Sequence, residues 1–272
     1  SPVNWLLILC PKKFIIEFMT ILIVLKTGLS GLGFSWYLKK HFGVKKFGVG
    51  FFGIFYALSG YMAAYSWNIM WLDCIMLFPL ILLGLEQLVK EKKGTLYCIT
   101  LGLSILSNYY ISIMICIFMV IYVIAQMTLN PPKSFGEFMG TGLRFAFYSL
   151  LAGGLAAVVL LPEIYALQVT ASGDFDFPKT FSSYFSIFDM IARHIGNVGT
   201  EIGLDHWPNI YCGVAVLMFF LLYLGSRKIT FREKAVYCSM LVLFYASFSV
   251  NVLNFIWHGF HYPNSLPCRQ SF

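Results

Sequence analysis

Apolar runs long enough to cross a lipid bilayer recur along the whole 272-residue sequence. A helix needs about 20 mainly apolar residues to cross roughly 30 Å of hydrocarbon. Hydrophobic residues make up 59% of the chain and charged residues 11%, whereas soluble domains contain about 25% charged residues. The runs are not confined to the N-terminus, so a signal peptide does not explain them. The sequence predicts an all-α, polytopic transmembrane helical bundle forming a single transmembrane domain.

Seven apolar stretches meet or approach the length of a span. One of them, 95–129, is too long for one crossing, because a helix of that length would extend about 52 Å. Its only polar cluster is Ser107, Asn108, Tyr109 and Tyr110, so we expect two helices that meet there. The prediction is about eight spans. The stretches are 14–38, 47–66, 72–89, 95–129, 138–161, 211–226 and 235–257.

Basic residues separate from acidic residues across these spans. With eight crossings, 13 of the 19 Lys and Arg residues lie in loops on one side of the membrane. The positive-inside rule predicts that this side is cytoplasmic. Most of the acidic residues, including Asp73 and Glu163, then lie on the outer side.

The segment 162–210 is the one long stretch between spans, and we expect it outside the cell. Within it, apolar residues recur at helical spacing opposite Ser182, Asp189 and Arg193. This pattern predicts an amphipathic helix on the membrane surface. The apolar positions are Phe181, Phe185, Phe188, Ile191 and Ile195.

Several classes of protein are excluded by what the sequence lacks. The net charge of +7 comes from short loop clusters rather than from a basic face, so no nucleic-acid partner is expected. The chain has no Walker A loop, no GxSxG elbow, no HExxH motif and no nucleotide-binding glycine fingerprint. Any chemistry is therefore expected at the outer face of the membrane.

Two charged residues stand out because they lie within apolar runs. Lys26 is near the middle of the first full span, and Asp73 enters another span directly after a Trp-rich hairpin. An unpaired charge at such a depth costs about 2.5–3.5 kcal/mol on the insertion scale. We therefore expect Lys26 to be buried against a carboxylate or a lipid phosphate, and Asp73 to face a cavity or a partner.

The C-terminal run 257–272 is the most distinctive segment. His258 and His261 are three residues apart, and Arg269 follows eight residues later. Histidine can transfer protons or bind a metal, and arginine can hold a phosphate bidentately. A structural turn rich in Pro, Gly and Asn is the alternative interpretation. Two histidines leave the use of a divalent metal open, and no cofactor is assigned.

Four motifs carry a resemblance to a known family. SGYMAAYSWNIMWLD, LLGLEQL, LSNYYIS and WHGFHYPNSLPCRQSF follow one another in this order. Together they resemble the bacterial YfhO family of integral membrane proteins. That family is similar to the GT-C glycosyltransferases, which take a sugar from a polyprenyl-phosphate carrier at the outer face of the membrane. The resemblance implies a GT-C-like fold.

The resemblance also implies a function and partners. The expected activity is transfer of a sugar from a polyprenyl-phosphate carrier to a cell-envelope polymer such as lipoteichoic acid, in the plasma membrane of a Gram-positive bacterium. The expected partners are membrane lipid, the lipid-linked sugar and the acceptor polymer. In GT-C enzymes the catalytic acid lies in the first outer loop, so we expect it N-terminal to Ser1, in a longer chain of which this sequence is an internal fragment.

On this interpretation one outward-facing cavity contains the residues singled out above, with Asn108 and Tyr109 in its wall. Arg269 or Lys26 would hold the carrier phosphate, and His258 or His261 would orient or protonate it. Two alternatives remain: a lipid or polymer transporter, or a non-catalytic membrane scaffold. A transporter should show broken helices paired between repeated halves, and the sequence indicates one break and no repeat. The predicted cavity residues are Lys26, Asp73, Asn108, Tyr109, His258, His261 and Arg269.

Overall fold

The computed structural model describes residues 2–44, 47–168, 177–196, 198–202, 207–260, 266 and 268–272. These residues form twelve α-helices, preceded by two short 3-10 helices, Val3–Leu9 and Lys12–Phe14. No β-strand occurs among them. The helices are α1 Ile15–Phe42, α2 Val49–Ala57, α3 Gly60–Tyr65, α4 Ile69–Glu91, α5 Thr95–Ser107, α6 Tyr109–Leu129, α7 Phe135–Leu155, α8 Ala157–Gln168, α9 Ile187–Ala192, α10 Val214–Gly225, α11 Phe231–Ser249 and α12 Asn251–Trp257.

Helix α4 is the centre of the bundle. It packs against α1, α5 and α6, and its apolar side chains, such as Leu72, Ile81 and Leu85, are fully buried. At Gly84 the backbone of α5 approaches so closely that a Cβ atom would collide with the backbone of Tyr97. Small residues permit such close packing between helices in membranes.

Many apolar side chains on the outside of the bundle are exposed. On α10, for example, Met218, Leu221 and Leu222 are each more than 60% exposed. Exposed apolar surface of this extent is typical of an interaction site or a membrane-facing surface. Because the helices are also long and apolar, we interpret it as the lipid-facing surface of a membrane protein.

Three helices are long and apolar enough to cross a membrane: Lys12–Phe42, Ile69–Glu91 and Tyr109–Leu129. The pair α7 and α8 would form a fourth span if it is counted as one. Three further apolar helices, at Val49–Tyr65, Thr95–Ser107 and Val214–Gly225, are shorter. The predicted class, an all-α membrane bundle, is confirmed. The predicted eight spans exceed the three or four that meet the length criterion in the described part of the chain.

The break predicted within 95–129 is confirmed. Helix α5 ends at Ser107 and α6 begins at Tyr109, with Asn108 in an extended conformation between them. The Asn108 side chain caps α6, because its Oδ1 accepts a hydrogen bond of 2.8 Å from the backbone N–H of Ile111. Asparagine is a preferred N-cap residue for this reason.

Other predicted spans are broken as well. Helices α7 and α8 meet at Ala156 with an angle of 82° between them, so the predicted span 138–161 is not a straight helix. Helices α11 and α12 are separated by Val250, whose backbone is extended. The expectation of a single helix break is therefore wrong, and the argument that it supplied against a transporter is weakened.

The segment around Phe181 differs from the predicted amphipathic helix. Helix α9 has only six residues, Ile187–Ala192, and begins with a capping box between Ser186 and Asp189. The residues before it run along the break between α11 and α12. Ser182 and Asn251 exchange hydrogen bonds of 3.1 Å there, and Ser183 forms an antiparallel bridge with Val250. Backbone groups that lack helical hydrogen bonds at the break between α11 and α12 thus bond to residues 182–184 instead. These bonds keep the segment before α9 extended.

Arg193 also differs from its prediction. It was expected on the polar, solvated face of the surface helix, yet it follows the end of α9 and its side chain is only 5% exposed. Phe181 and Phe188 are each 77% exposed, in agreement with an apolar face turned towards lipid.

Candidate functional site

The two charged residues singled out in the spans form a buried ion pair. Nζ of Lys26 on α1 lies 2.9 Å from Oδ1 of Asp73 on α4, and each side chain is 1% exposed. The same ammonium group donates to Oδ1 of Asn4 at 2.8 Å and to the backbone oxygen of Ile69 at 3.0 Å. The prediction that Lys26 is buried against a carboxylate is confirmed.

The ion pair argues against the predicted role of Lys26 as the residue that holds the carrier phosphate. An ammonium group has three N–H donors, and three protein oxygens surround the one on Lys26. Its charge is balanced by Asp73 at short range. A phosphate would have to displace one of these acceptors, so the ion pair is better explained as a link between α1 and α4 than as a phosphate site.

A second cluster lies at the end of the bundle where α4 begins and α5 meets α6, which we call the Trp71 end. The Arg269 guanidinium carbon lies 4.6 Å from the ring centroid of Tyr110 and 5.6 Å from that of Trp71. Its Nε donates to the backbone oxygen of Leu266 at 3.0 Å. Cation–π contacts of this kind are stronger where water is excluded, and Trp71 is 7% exposed.

His258 belongs to the same cluster. Its ring centroid lies 6.3 Å from that of Tyr110, and its side chain is 1% exposed. Its Nδ1 lies 2.7 Å from the backbone oxygen of Asn254. Because a carbonyl oxygen only accepts hydrogen bonds, Nδ1 of His258 carries a proton and donates it in this contact.

The remaining residues of the cluster at the Trp71 end lie at the break between α5 and α6. Tyr109 follows Asn108 at the start of α6. The Tyr109 and Tyr110 rings are 6.3 Å apart. The cluster therefore surrounds the N-terminus of α6, where the helix dipole gives a positive potential.

The predicted site residues thus fall into two groups. Asn108, Tyr109, His258 and Arg269 gather around Tyr110, whereas Asp73 pairs with Lys26 against α1. Residues two apart on a helix point about 160° away from each other, so Asp73 faces α1 while Trp71 faces Arg269. That the two groups line one cavity stays a prediction. His261 lies outside the described residues.

A third polar cluster was missed. At the opposite end of the bundle, which we call the Lys90 end, the buried carboxylate of Glu86 accepts hydrogen bonds from the hydroxyls of Tyr37 at 3.1 Å and Tyr122 at 2.6 Å. It also lies 2.6 Å from Nδ1 of His41 and 2.9 Å from Nζ of Lys90. The sequence signal for this cluster is Glu86, the single carboxylate in the apolar motif LLGLEQL.

Metal binding receives no support from the described residues. No group of three or more His, Cys, Asp or Glu side chains in that part of the chain could hold a metal ion. The seven cysteines are all free thiols.

Comparison with known proteins gives one match. The model of a family described as bacterial membrane protein YfhO matches residues 1–272. No curated protein and no solved structure matches the chain.

Proposed function

Because the chain belongs to the YfhO family of bacterial membrane proteins, we propose that it takes part in transferring a sugar from a polyprenyl-phosphate carrier to a cell-envelope polymer. In this proposal the Trp71 end faces the outside of the cell, and the carrier phosphate binds at Arg269. The acceptor is a polymer of the lipoteichoic acid type in a Gram-positive plasma membrane, and the fold is GT-C-like.

The observation that carries the proposal is the position of the Arg269 guanidinium between Tyr110 and Trp71. A planar guanidinium offers five N–H donors in a geometry that matches a phosphate. The Leu266 carbonyl and the two rings restrict its orientation, which reduces the entropy lost when a ligand binds. The N-terminus of α6 adds a positive potential that favours an anion.

His258 has a separate role in the proposal. Since its Nδ1–H is directed to the Asn254 carbonyl, its Nε2 is the atom that would accept or deliver a proton. Proton transfer by a positioned histidine contributes about 10²–10⁴-fold to a reaction rate. His258 would orient the carrier phosphate or protonate the oxygen that leaves the sugar. The residue that activates the acceptor hydroxyl is not assigned.

A transporter of lipid-linked sugar is the second candidate, and the helix breaks favour it. Breaks at Asn108, Ala156 and Val250 resemble the discontinuous helices that form binding sites in transporters. The same Arg269 cluster would then bind the lipid phosphate during transport. Both candidate functions require binding of the lipid-linked sugar. Transfer produces a glycosylated polymer, whereas transport leaves the sugar attached to the lipid.

Proteoliposomes containing the full-length protein distinguish them. They would be loaded with a polyprenyl-phosphate sugar that carries a labelled sugar and supplied with a glycerol-phosphate polymer. The proposed function predicts label covalently attached to the polymer. Label that crosses the bilayer and stays attached to the lipid would contradict transfer and support transport.

A further inference from the structure

A pocket with a volume of about 220 Å³ lies beside the junction of α2 and α3. Its wall includes Ser59, Arg193, Thr200 and Asn209. It is close to the Trp71 end, because Tyr65, whose ring lies 5.6 Å from that of Trp71, also contacts the backbone oxygen of Glu201 at 3.5 Å. The pocket is nevertheless formed by other residues than the Arg269 cluster.

Arg193 is the charged residue of this wall, and its guanidinium is held by neutral groups. Nε donates to the backbone oxygen of Pro208 at 3.1 Å, and Nη2 donates to Oδ1 of Asn209 at 3.1 Å. The guanidinium carbon lies 5.7 Å from the ring centroid of Trp207. Nη1 has no hydrogen-bond partner among the described residues.

Within the part of the chain that the structure describes, no ion pair neutralises the charge of Arg193. Its side chain is 5% exposed, and no carboxylate in the described ranges lies within 4 Å of it. Burial lowers the pKa of Arg193, while the more distant carboxylate of Glu201 raises it. Buried charges in proteins are normally paired, so a buried guanidinium beside a pocket creates a site for an anion.

Two hydroxyl groups complete the donor set. Ser59 and Thr200 line the same pocket, and the Ser59 hydroxyl, although it stands at the N-cap of α3, does not cap that helix. The wall of one pocket thus contains three residues whose side chains can donate hydrogen bonds. A carboxylate presents two oxygens, whereas a phosphate group presents three or four acceptor oxygens in a tetrahedral arrangement.

We infer that this pocket binds a phosphate group, with the Nη1 group of Arg193 and the hydroxyls of Ser59 and Thr200 as donors. The ligand is a phosphate ester or free phosphate that reaches the protein at the Trp71 end. This site does not depend on carrier binding at Arg269, so either assignment can fail alone.

Inorganic phosphate is the first probe. The purified full-length protein in nanodiscs of zwitterionic lipid would be titrated with phosphate, with chloride at equal ionic strength as the control. We expect phosphate, and not chloride, to raise the melting temperature and to change the fluorescence of Trp207, which would be identified by its loss in Trp207→Phe. Equal effects of both anions would overturn the inference.

The variant Ser59→Ala/Thr200→Val tests the donors without removing the contacts of Arg193 to Pro208 and Asn209. We expect it to fold normally and to bind phosphate at least about tenfold more weakly. Thr128→Val, at an exposed hydroxyl that bonds within its own helix, is the matched control and should bind phosphate normally. Unchanged affinity in the double variant would overturn the inference.

A second experiment, with nanodiscs of different lipid composition, identifies the source of the phosphate group. In nanodiscs that contain phosphatidylglycerol, a lipid ligand would raise the melting temperature without added phosphate, and the double variant would lack this rise. A soluble or polymeric ligand would act equally in both nanodisc types. In Arg269→Lys the phosphate response should persist, which separates this site from the proposed carrier site.

Discussion

Lys26 and Asp73 face each other across α1 and α4 with 2.9 Å between Nζ and Oδ1, and both are removed from solvent. Removing one partner of such a pair leaves an uncompensated buried charge and typically costs about 3–5 kcal/mol. We therefore expect Lys26→Met and Asp73→Asn to lower the thermal stability of the purified protein strongly.

The double variant Lys26→Met/Asp73→Leu is the informative control. Apolar residues of similar size in place of a buried ion pair are often neutral or stabilising, so the double variant should be more stable than either single variant. Melting temperatures in detergent would measure this. A double variant whose destabilisation equals the sum of the two single effects would show that the residues do not interact.

Glu86 anchors the cluster at the Lys90 end, where it accepts from two tyrosine hydroxyls and contacts His41 and Lys90. In Glu86→Gln the amide nitrogen would face donors, and the charge would be lost. Leaving buried donors unsatisfied costs about 1–3 kcal/mol each, so we expect a clear decrease in melting temperature. Glu91→Gln is the control, because Glu91 is 51% exposed and pairs only at the surface with Lys93. Similar effects of the two substitutions would contradict this interpretation.

Gly84 allows α4 and α5 to approach closely. An alanine there would push its Cβ into the backbone of Tyr97, and we expect Gly84→Ala to destabilise the bundle by about 1–3 kcal/mol, the range for overpacking. Gly28 on α1 has no atom within 4 Å of its Cβ position. Gly28→Ala should therefore be neutral or stabilising, because alanine favours helix more than glycine by about 1 kcal/mol. Equal effects of the two alanine substitutions on the melting temperature would contradict the claim that Gly84 is needed for close packing of α4 and α5.

The predicted orientation in the membrane rests on the distribution of basic residues, and it predicts opposite labelling at two exposed positions. Lys92 lies in the turn after α4, and Lys179 lies in the segment 162–210. On a cysteine-free background, a membrane-impermeant maleimide should label Lys179→Cys in intact cells and Lys92→Cys only after permeabilisation. The reverse pattern would invert the topology and move the Trp71 end to the cytoplasm.

Part of this architecture could be predicted from the sequence because the signals are local. The break at Asn108 follows from the one polar cluster in an apolar run, and the burial of Lys26 follows from the cost of an isolated charge. The partner of Lys26 could not be predicted, because it depends on the register between α1 and α4. The bend at Ala156 closely follows Gly153 and Gly154 at the end of α7, a pair of small residues of the kind that kinks helices, and the span prediction did not use this local signal.

Arg193 shows a second reason why a structural prediction from sequence alone can be wrong. Helical periodicity assigned Arg193 to a solvated face, whereas the chain before α9 is held extended by Asn251 and Ser249. Hydrogen bonds between segments about 65 residues apart are not encoded in any local pattern. The proposed anion site is therefore visible only after the segments have been brought together.

The central claim is that Arg269 binds the phosphate of a polyprenyl carrier, and the affinity of the full-length protein for polyprenyl phosphate tests it most directly. Binding would be measured in nanodiscs for the wild type, for Arg269→Lys and for Arg232→Lys, an exposed arginine at the start of α11. Lysine keeps the charge but loses the planar fork of donors. We predict that Arg269→Lys weakens binding at least about tenfold, the factor that corresponds to 1.4 kcal/mol, that Arg232→Lys has no effect, and that polyprenol without phosphate binds poorly. Equal affinity of the wild type and Arg269→Lys for polyprenyl phosphate would contradict the claim.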